Sequence, residues 1–340
     1  MEVRWLALAL APGVGPKRFR EALALHPDDP DAAARALGTR IHAAYRETRE
    51  KGAAERILKK AEALGARVLG PGDEGYPEGL LHLPDPPVPL FAKGEAPPWE
   101  EAVAIVGTRR ASPWAKGFAR ELARALAGAG VAVVSGLARG IDGAAHRGAL
   151  EAGGKTLAVL GSALDRIYPP EHRELAESAA LVSEFPFGTG PRPEHFPRRN
   201  RLVAALARAV VVVEAPERSG ALITARHALE LGREVLAVPG RPTDEKSRGA
   251  NLLIKDGAAP VLSAGELLEL LGLSAPPANR PEPPAHLRAL HSALAELGEA
   301  LPDDLASRLG EDPAAVLAGL TELELLGLAE ALPGGRYRAR

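Results

Sequence analysis

The stretch AIVGTRRAS, residues 104–112, joins a short apolar run to a turn that carries two adjacent arginines. Such a run is typical of a strand that leaves a parallel sheet and enters a ligand-binding turn. Turns that hold nucleotide phosphates are usually rich in glycine, because the phosphate then approaches bare backbone. Here a single glycine is followed by the hydroxyl of Thr108 and by the guanidinium groups of Arg109 and Arg110. The turn therefore predicts a phosphate ligand that is bound by arginine side chains.

Further apolar runs of the same kind follow along the chain, with helical stretches between them. The runs are continuous rather than alternating, which indicates strands that are buried on both faces of a sheet. They are VAIVG (103–107), VAVVSG (131–136), TLAVLG (156–161), VVVVEA (210–215) and VLAVPG (235–240). The helical stretches include residues 115–130 and 219–232. This alternation predicts an α/β fold built on a Rossmann-like, doubly wound parallel sheet.

Proline-rich segments suggest where the domains begin and end. Residues 1–65 are predicted as a small helical domain, and residues 66–273 as the Rossmann-like domain with an N-terminal extension. That extension contains the loop-like segment GPGDEGYPEGLLHLPDPPVPLFAKG, residues 70–94. Residues 274–284, SAPPANRPEPP, suit an extended linker. Residues 285–340 then form a separate winged-helix-like domain.

Composition excludes several classes of protein. Hydrophobic residues make up 46% of the chain and charged residues 25%, as in an ordinary globular protein. The absence of cysteine excludes disulfides and cysteine-based zinc sites, and no metal or cofactor is predicted. No basic leader and no run of membrane-spanning length is seen, so we expect a soluble, cytoplasmic protein without a membrane partner. With a net charge of −2, a nucleic-acid binder has to concentrate its basic residues locally.

The carboxyl ends of the predicted strands supply such a concentration. Ligands of doubly wound sheets bind outside these ends, where arginines, hydroxyls, glycines and an aromatic residue gather. Arginine matches phosphate oxygens, and an aromatic ring stacks a base, so a phosphodiester strand suits this rim better than an isolated mononucleotide. The candidate DNA-binding residues are Gly107, Thr108, Arg109, Phe196, Arg198, Arg199, Asn200, Arg201, Ser219, Gly220 and Thr224. No catalytic residues are assigned.

Seven motifs in this region resemble one known family. They are GTRRAS, SGLARGIDGAAH, TLAVLGSALDRIYPPEH, SEFPFG, FPRRNRLVAALA, VVVVEAPERSGALITARHALELGREVLAVPG and GANLLIKDGA. In this order they span nearly all of residues 102–262, and together they are similar to the DprA/Smf family. The resemblance implies a protein without enzymatic activity that binds single-stranded DNA and protects incoming DNA. It also implies that the protein loads the RecA recombinase during natural transformation and forms a homodimer through its Rossmann-like domain.

The resemblance also assigns roles to individual residues. It implies that Arg109 contacts DNA, because the family's DNA-binding arginine lies in a Gly-Ser/Thr-Arg turn. It implies that Phe196 stacks a base, although a ring at this position also suits a core anchor for the following helix. Relatives often have a second glycine where this chain has Ser162, which argues against a close phosphate contact at Gly161.

Three other side chains have structural interpretations. His146 is expected to be packed and hydrogen-bonded, and Asp142 to cap the helix that follows it. One of Arg198, Arg199 and Arg201 in the motif RPEHFPRRNR, residues 192–201, is expected to form a salt bridge with Glu184 or Glu214.

The terminal domains carry weaker signals. Residues 6–23 suit either a helix–hairpin–helix that binds phosphate or a sterile-alpha-motif-like interaction domain, and we favour the interaction domain. At the other end, helices are predicted at about 286–298, 302–309 and 313–327, followed by a Pro-Gly-Gly wing. The third helix has two acidic residues and no basic one, which opposes binding to phosphates. This domain is therefore predicted to contact protein.

Two rival functions remain open at this point. One is a nucleotide-processing enzyme similar to the phosphoribohydrolases of Rossmann-like fold, although their PGGxGTxxE motif is absent. The other is a regulator that senses nucleotides. Tighter binding of mononucleotides than of oligonucleotides favours either rival.

Overall fold

A computed structural model describes residues 1–95, 101–274 and 283–339. The chain divides into two compact units, Met1–Ala275 and Pro276–Arg340. Most of the predicted linker, residues 275–282, lies outside the described residues. No helix within the described ranges has both the length and the apolar character needed to cross a membrane.

The first unit opens with helices, as the sequence predicts. Residues 1–65, all of which are described, contain α1 (Val3–Leu10), α2 (Pro16–Leu25), α3 (Pro30–Ala36), α4 (Thr39–Glu50) and α5 (Ala53–Ala63). Proline occupies the first position of α2 and α3, where a missing N–H costs nothing, and Asp29 caps α3. Leu6, Phe19 and Tyr45 are fully buried or nearly so. Their hydrophobic cluster also includes Phe91 and Leu160, so these helices pack against the sheet.

Nine strands form one sheet within the described part of the first unit. They are β1 (Ala66–Leu69), β2 (Leu90–Lys93), β3 (Val103–Val106), β4 (Val133–Ser135), β5 (Thr156–Val159), β6 (Ala180–Ser183), β7 (Ala209–Val212), β8 (Glu234–Ala237) and β9 (Ala259–Pro260). Their order is β1-β2-β6-β5-β4-β3-β7-β8-β9. From β6 to β9 all pairs are parallel, which confirms the doubly wound sheet.

The sheet extends beyond the predicted strands at both edges. The prediction of a loop over residues 70–94 is wrong at its end, where β2 pairs antiparallel with both β1 and β6. At the other edge β9 adds a short strand beside β8. Strand β2 is difficult to recognise in the sequence because it is only four residues long and follows Pro89 directly. The parallel strand β6 is likewise absent from the predicted strands.

Helices cover both faces of the parallel strands. They are α6 (Pro113–Gly128), α7 (Ile141–Glu151), α8 (Arg173–Ser178), α9 (His195–Ala205), α10 (Gly220–Glu230), α11 (Arg248–Lys255) and α12 (Ala264–Leu270). Val103 and Ile105 of β3 pack with α6, α7 and α12, whereas Ala104 and Val106 pack with α9 and α10. All four residues are nearly inaccessible to solvent, as the continuous apolar run predicts.

The chain reverses its direction of travel across the sheet beside β3. From β3 it adds β4, β5 and β6 on one side, and it then returns to place β7 on the opposite side of β3. Helix α6, which follows β3, and helix α9, which precedes β7, therefore lie on opposite faces of the sheet. A crevice opens between the two strands. In doubly wound sheets this switch point is where ligands bind.

The second unit is a small helical domain with a wing. Residues 283–339 contain α13 (Arg288–Leu297), β10 (Glu299–Ala300), α14 (Pro302–Leu309), α15 (Pro313–Leu325), β11 (Ala329–Leu332) and β12 (Arg336–Ala339). The strand order is β10-β12-β11, and Gly334 and Gly335 adopt positive φ in the hairpin between β11 and β12. The three predicted helices and the predicted wing are therefore confirmed. The acidic residues Glu322 and Glu324 of α15 are exposed.

Helices α6 and α7 approach so closely that one position has to be glycine. A Cβ at Gly148 of α7 would lie 2.9 Å from the Cα of Arg120 in α6, whereas a Cβ at Gly117 of α6 would meet no heavy atom within 4 Å. Gly148→Ala is expected to lower the free energy of unfolding by about 1–3 kcal/mol through overpacking. Gly117→Ala is expected to raise it by roughly 0.5–1 kcal/mol, because alanine has less conformational entropy to lose. Urea denaturation of both variants measures the difference, and equal effects would contradict the close approach.

Candidate nucleic-acid interface

A cleft of about 650 Å³ lies at the switch point, outside the carboxyl ends of β3 and β7. The turns after β3, β4 and β7 line it together with α9 and the first turn of α10. The structure brings most of the predicted site residues together here. Those that line the cleft are Gly107, Thr108, Arg109, Phe196, Arg199, Asn200, Ser219, Gly220 and Thr224.

Glu214 fixes the arginine turn from the neighbouring strand. The Thr108 N–H donates to the backbone oxygen of Glu214 at 2.6 Å, and the Ser112 N–H donates to its carboxylate at 2.8 Å. A Cβ at Gly107 would lie 2.9 Å from the same backbone oxygen. Glycine is therefore needed at this position for contact between the two chain segments. The result is a turn held at both ends, from which Arg109 extends to the exposed rim of the cleft.

Arg109 lies over the ring of Phe196. The guanidinium carbon is 4.5 Å from the ring centroid, within the range of a cation–π contact. Phe196 is half-buried, and Tyr168 lies beside it with ring centroids 5.9 Å apart. A Cβ at Gly161 would lie 2.8 Å from the Phe196 ring, so this glycine makes room for the aromatic side chain. The ring is consequently anchored on one side and lines the cleft on the other.

Arg199 forms the floor of the cleft. It is buried, it donates to the backbone oxygen of Val159, and its guanidinium lies where a Cβ at Gly136 would otherwise be. Burial lowers the pKa of Arg199 to about 10, with Arg109 acting in the same direction and Asp142 opposing it. The group therefore remains a cation at neutral pH, with its charge directed into the wall of the site.

Asp142 holds the loop beneath the cleft. Its carboxylate accepts from the Gly136 N–H at 3.1 Å and from the Ala138 N–H at 3.3 Å. The prediction that Asp142 caps α7 is wrong, because Gly140 occupies the cap position and Asp142 lies within the first turn. Burial raises the pKa of Asp142, and the charge of Arg199 opposes this rise.

The same loop contains a residue in the left-handed region. Leu137 has a φ of 58° although it is buried and is not glycine, which strains the backbone. Two histidines hold it: its N–H donates to His146 Nε2 at 3.3 Å, and its oxygen accepts from His172 Nδ1 at 2.9 Å. Since the Thr156 hydroxyl donates to Val133, His146 Nδ1 donates to that hydroxyl. His146 is packed and hydrogen-bonded, as the sequence predicts.

The start of α10 closes the opposite side of the cleft. Ser219 caps the helix by accepting from the Ala221 N–H at 3.3 Å, and the Asn200 side chain donates to the Gly220 oxygen at 3.0 Å. Thr224 is buried one turn further along. These contacts attach α9 to α10, so the position of Phe196 is tied to the β7 turn.

Positive charge dominates the lining. Besides Arg109 and Arg199, the cleft is lined by Arg110, Arg192 and Arg218, and the only carboxylate among its lining residues is that of Asp142. Arg192 and Arg218 were not among the predicted site residues, although Arg192 begins the RPEHFPRRNR motif and Arg218 precedes the cap of α10. Both are exposed. The sequence could have indicated both arginines, because each lies in or next to a segment that was already selected as part of the site.

Arg198 and Arg201 lie outside the cleft. The Glu184 carboxylate accepts from both, at 2.9 Å and 2.8 Å, and Arg201 also contacts Asp85 at 3.2 Å. A salt bridge from one of these arginines to Glu184 or Glu214 was predicted, and the structure has two such bridges, both to Glu184. Helical periodicity explains the separation, because positions 196, 199, 200 and 203 share the cleft face of α9 and positions 198 and 201 do not. A DNA contact by Arg198 or Arg201 stays a prediction.

Comparison with known proteins identifies the family. A family model for DNA recombination-mediator protein A matches residues 67–272. The chain belongs to the DprA/Smf family. A second model, for the DprA winged helix domain, matches residues 274–335 and confirms the fold predicted for the C-terminal unit.

Individual DprA/Smf proteins agree with this assignment. Protein Smf of Escherichia coli K12 is 43% identical over 289 residues, which cover 80% of this chain and 77% of that protein. The structure of DprA from Streptococcus pneumoniae superposes with a TM-score of 0.70 and 33% identity, covering 79% of this chain and 98% of that one. DprA from Helicobacter pylori, which has a unique single-stranded DNA binding mode, gives a TM-score of 0.54 at 32% identity, over 61% and 95% of the two chains.

The buried His146 makes stability depend on pH. Burial lowers the pKa of His146 to about 3, with His172 and Arg199 acting in the same direction. At pH values between the unfolded-state pKa of about 6.5 and the native-state pKa, the imidazole of His146 is protonated in the unfolded chain but not in the folded one. Stability is therefore expected to fall as the pH falls below about 6.5, by up to about 1.4 kcal/mol per pH unit from this group.

Urea unfolding of His146→Gln between pH 7.5 and 4.5 isolates this contribution. The variant is expected to be less stable than the parent at pH 7.5 and to have a shallower pH dependence. His82→Gln, at an exposed position, serves as the matched control and should keep the parent's slope. A slope in His146→Gln that equals the parent's would contradict the assignment.

Proposed function

We propose that this protein binds single-stranded DNA in the switch-point cleft and that Arg109 contacts the DNA backbone. The observation that carries the proposal is the pairing of Arg109 with Phe196, on a turn fixed by Glu214. A guanidinium offers two parallel donors to a phosphate, and the adjacent ring offers a face to a base. The two side chains thus recognise the two parts of one nucleotide unit.

The rest of the cleft supports a strand rather than a single nucleotide. Arg110, Arg192 and Arg218 are exposed around the rim and have no ion pair among the described residues. Cations spread along a rim match successive phosphates, whereas one nucleotide needs a single anion site. The single-stranded DNA binding mode of the H. pylori relative supports the same ligand.

We further propose that the protein is a recombination mediator and not an enzyme. The polar groups best placed for catalysis have structural contacts: Asp142 accepts from two backbone N–H groups, and Ser219 caps α10. The Thr108 hydroxyl accepts from the Arg110 N–H at 3.2 Å. These contacts favour binding over nucleophilic chemistry, which needs a nucleophile next to a base.

The remaining roles rest on membership of the DprA/Smf family. We propose that the protein protects incoming DNA and loads RecA on it in the cytoplasm during natural transformation. We also propose a homodimer formed around residues 222–238, where the side chain of Leu229 is exposed. For the winged helix domain we propose protein contacts, because the exposed acids of α15 oppose phosphates.

The ligand class is tested by measuring the binding of oligo-dT, a duplex of equal length and AMP to the whole chain over a salt series. Oligo-dT is expected to bind more tightly than the duplex, because base pairing hides the faces that Phe196 would stack. AMP is expected to bind most weakly. Equal or stronger duplex binding at moderate salt would overturn the proposal, and tighter binding of AMP would support a nucleotide enzyme or sensor.

The role of Arg109 is tested by substitution. Arg109→Ala is expected to weaken oligo-dT binding by about 1–3 kcal/mol, the range for a lost charge-assisted hydrogen bond. It should also reduce the slope of log K against log salt by about 0.7, as the release of one counterion from a single strand requires. Arg109→Lys is not expected to restore binding, since an ammonium cannot form two parallel bonds or lie flat on Phe196.

Two controls accompany these variants. Arg110→Ala should have a smaller effect, because adjacent side chains of a turn point in different directions. Arg40→Ala, at an exposed position of α4, should bind like the parent. Circular dichroism verifies the fold of each variant. An Arg109→Ala protein with the parent's affinity and salt slope would show that this rim is not the DNA site.

A further inference from the structure

A stacked aromatic pair lies on the surface next to the arginine turn. Trp114 and Phe118, four residues apart on α6, have ring centroids 5.5 Å apart and planes inclined by only 8°. Trp114 is 58% exposed, and it is the one exposed aromatic side chain in the described parts of the chain. Phe118 packs against the hydrophobic cluster beneath α6. The indole is therefore supported on one face by an anchored ring and is open to solvent elsewhere.

We propose that the Trp114–Phe118 pair is a second stacking site, outside the cleft, for a base of the same single strand. This proposal rests on the proposed DNA-binding function of the cleft. Helix α6 begins directly after the arginine turn, and its start is fixed by the Ser112–Glu214 hydrogen bond. Arg110 lines the cleft and Trp114 follows four residues later, so their Cα atoms are at most about 14 Å apart. A strand a few nucleotides longer than the cleft reaches the indole.

The charges around the pair favour a polyanion as its occupant. Arg110 precedes Trp114 and Lys116 follows it, and both are exposed without an ion pair among the described residues. Further along α6 the situation changes, because Arg120 and Arg124 are both paired with Glu151. Unpaired cations are thus concentrated at the end of α6 that adjoins the cleft. A phosphate that links a base in the cleft to a base on Trp114 would lie among them.

The geometry of the pair suits a base. An aromatic ring that is already held in place loses little conformational freedom when a base stacks on it. Stacking needs free space beside the ring, and the side chain of Trp114 is largely exposed. Stacking is also tolerant of sequence, because every base has an aromatic face. A second copy of the chain is the alternative occupant, and light scattering distinguishes it from DNA.

The test measures binding of a ladder of dT oligomers to the whole chain and to Trp114 variants. For the shortest oligomers that bind in an Arg109-dependent manner, Trp114→Ala is expected to match the parent. For longer oligomers it is expected to bind at least about fivefold more weakly, the loss of one base–aromatic stack. Trp114→Phe should recover most of the affinity, because a phenyl ring still stacks. Leu25→Ala, at another exposed apolar position, is the matched control and should bind like the parent.

Two further readouts separate stacking from electrostatics. Trp114→Ala should leave the salt slope unchanged, whereas Lys116→Ala should lower it for long oligomers only. In the parent, long oligo-dT is expected to quench tryptophan fluorescence. In a Trp99→Phe background, replacing Trp114 by Phe should abolish this quenching while binding is retained, because the one remaining tryptophan, Trp5, is buried in the N-terminal helices.

Three results would overturn the inference. In the first, Trp114→Ala binds oligomers of every length as tightly as the parent does, while binding still depends on Arg109. The function proposed for the cleft would then remain intact. The second is an equal loss at all lengths, which would indicate that Trp114 supports the arginine turn. The third is a molar mass of Trp114→Ala, measured by light scattering, that differs from the parent's while the DNA affinity is unchanged. That result would identify the surface as a contact between copies of the chain. Failure of the parent itself to bind oligo-dT would instead reject the proposed function.

Discussion

The hydrogen bonds of Glu214 hold the site together. This residue follows β7, and through its backbone oxygen and its carboxylate it binds both ends of the turn that follows β3. Because β3 and β7 lie on either side of the switch point, the contact fixes the two rims of the cleft to each other. A carboxylate buried among apolar strands is stable only with such partners. The position of Arg109 therefore depends on the sheet itself rather than on a loop.

Glycine and backbone strain shape the space below this turn. Gly136 gives room to the Arg199 guanidinium, and Gly161 gives room to the Phe196 ring. Leu137 is kept in the left-handed region by two histidines, and its strained loop packs beneath the arginine turn through Gly140. Rigid support of this kind lowers the entropy that a binding site loses when the ligand arrives. Gly136 and Gly161 thus serve side-chain packing, whereas Gly107 and Gly140 allow two backbone segments to approach each other.

The arginines of the cleft region fall into two groups. Arg199 and Arg201 are buried and form hydrogen bonds within the protein, Arg199 to the backbone oxygen of Val159 and Arg201 to the carboxylate of Glu184. Arg109 and Arg110 are exposed on the rim, next to the Trp114–Phe118 pair. Only the exposed group is available to a ligand that carries many phosphates. A chain with a net charge of −2 thus presents a cationic surface where the aromatic rings are found.

The sequence by itself determined the parallel sheet, since short continuous apolar runs that alternate with helical stretches indicate strands buried on both faces. It also placed Arg109 just after the carboxyl end of β3, whereas Phe196 lies in the first turn of α9. Strands β1, β2, β6 and β9 were missed, and β2, for example, is short and follows a proline directly. Only the tertiary structure decided which arginines of α9 face the cleft. Arg198 and Arg199 are adjacent in sequence, yet the helix turns by about 100° between them, so one meets Glu184 and the other the cleft.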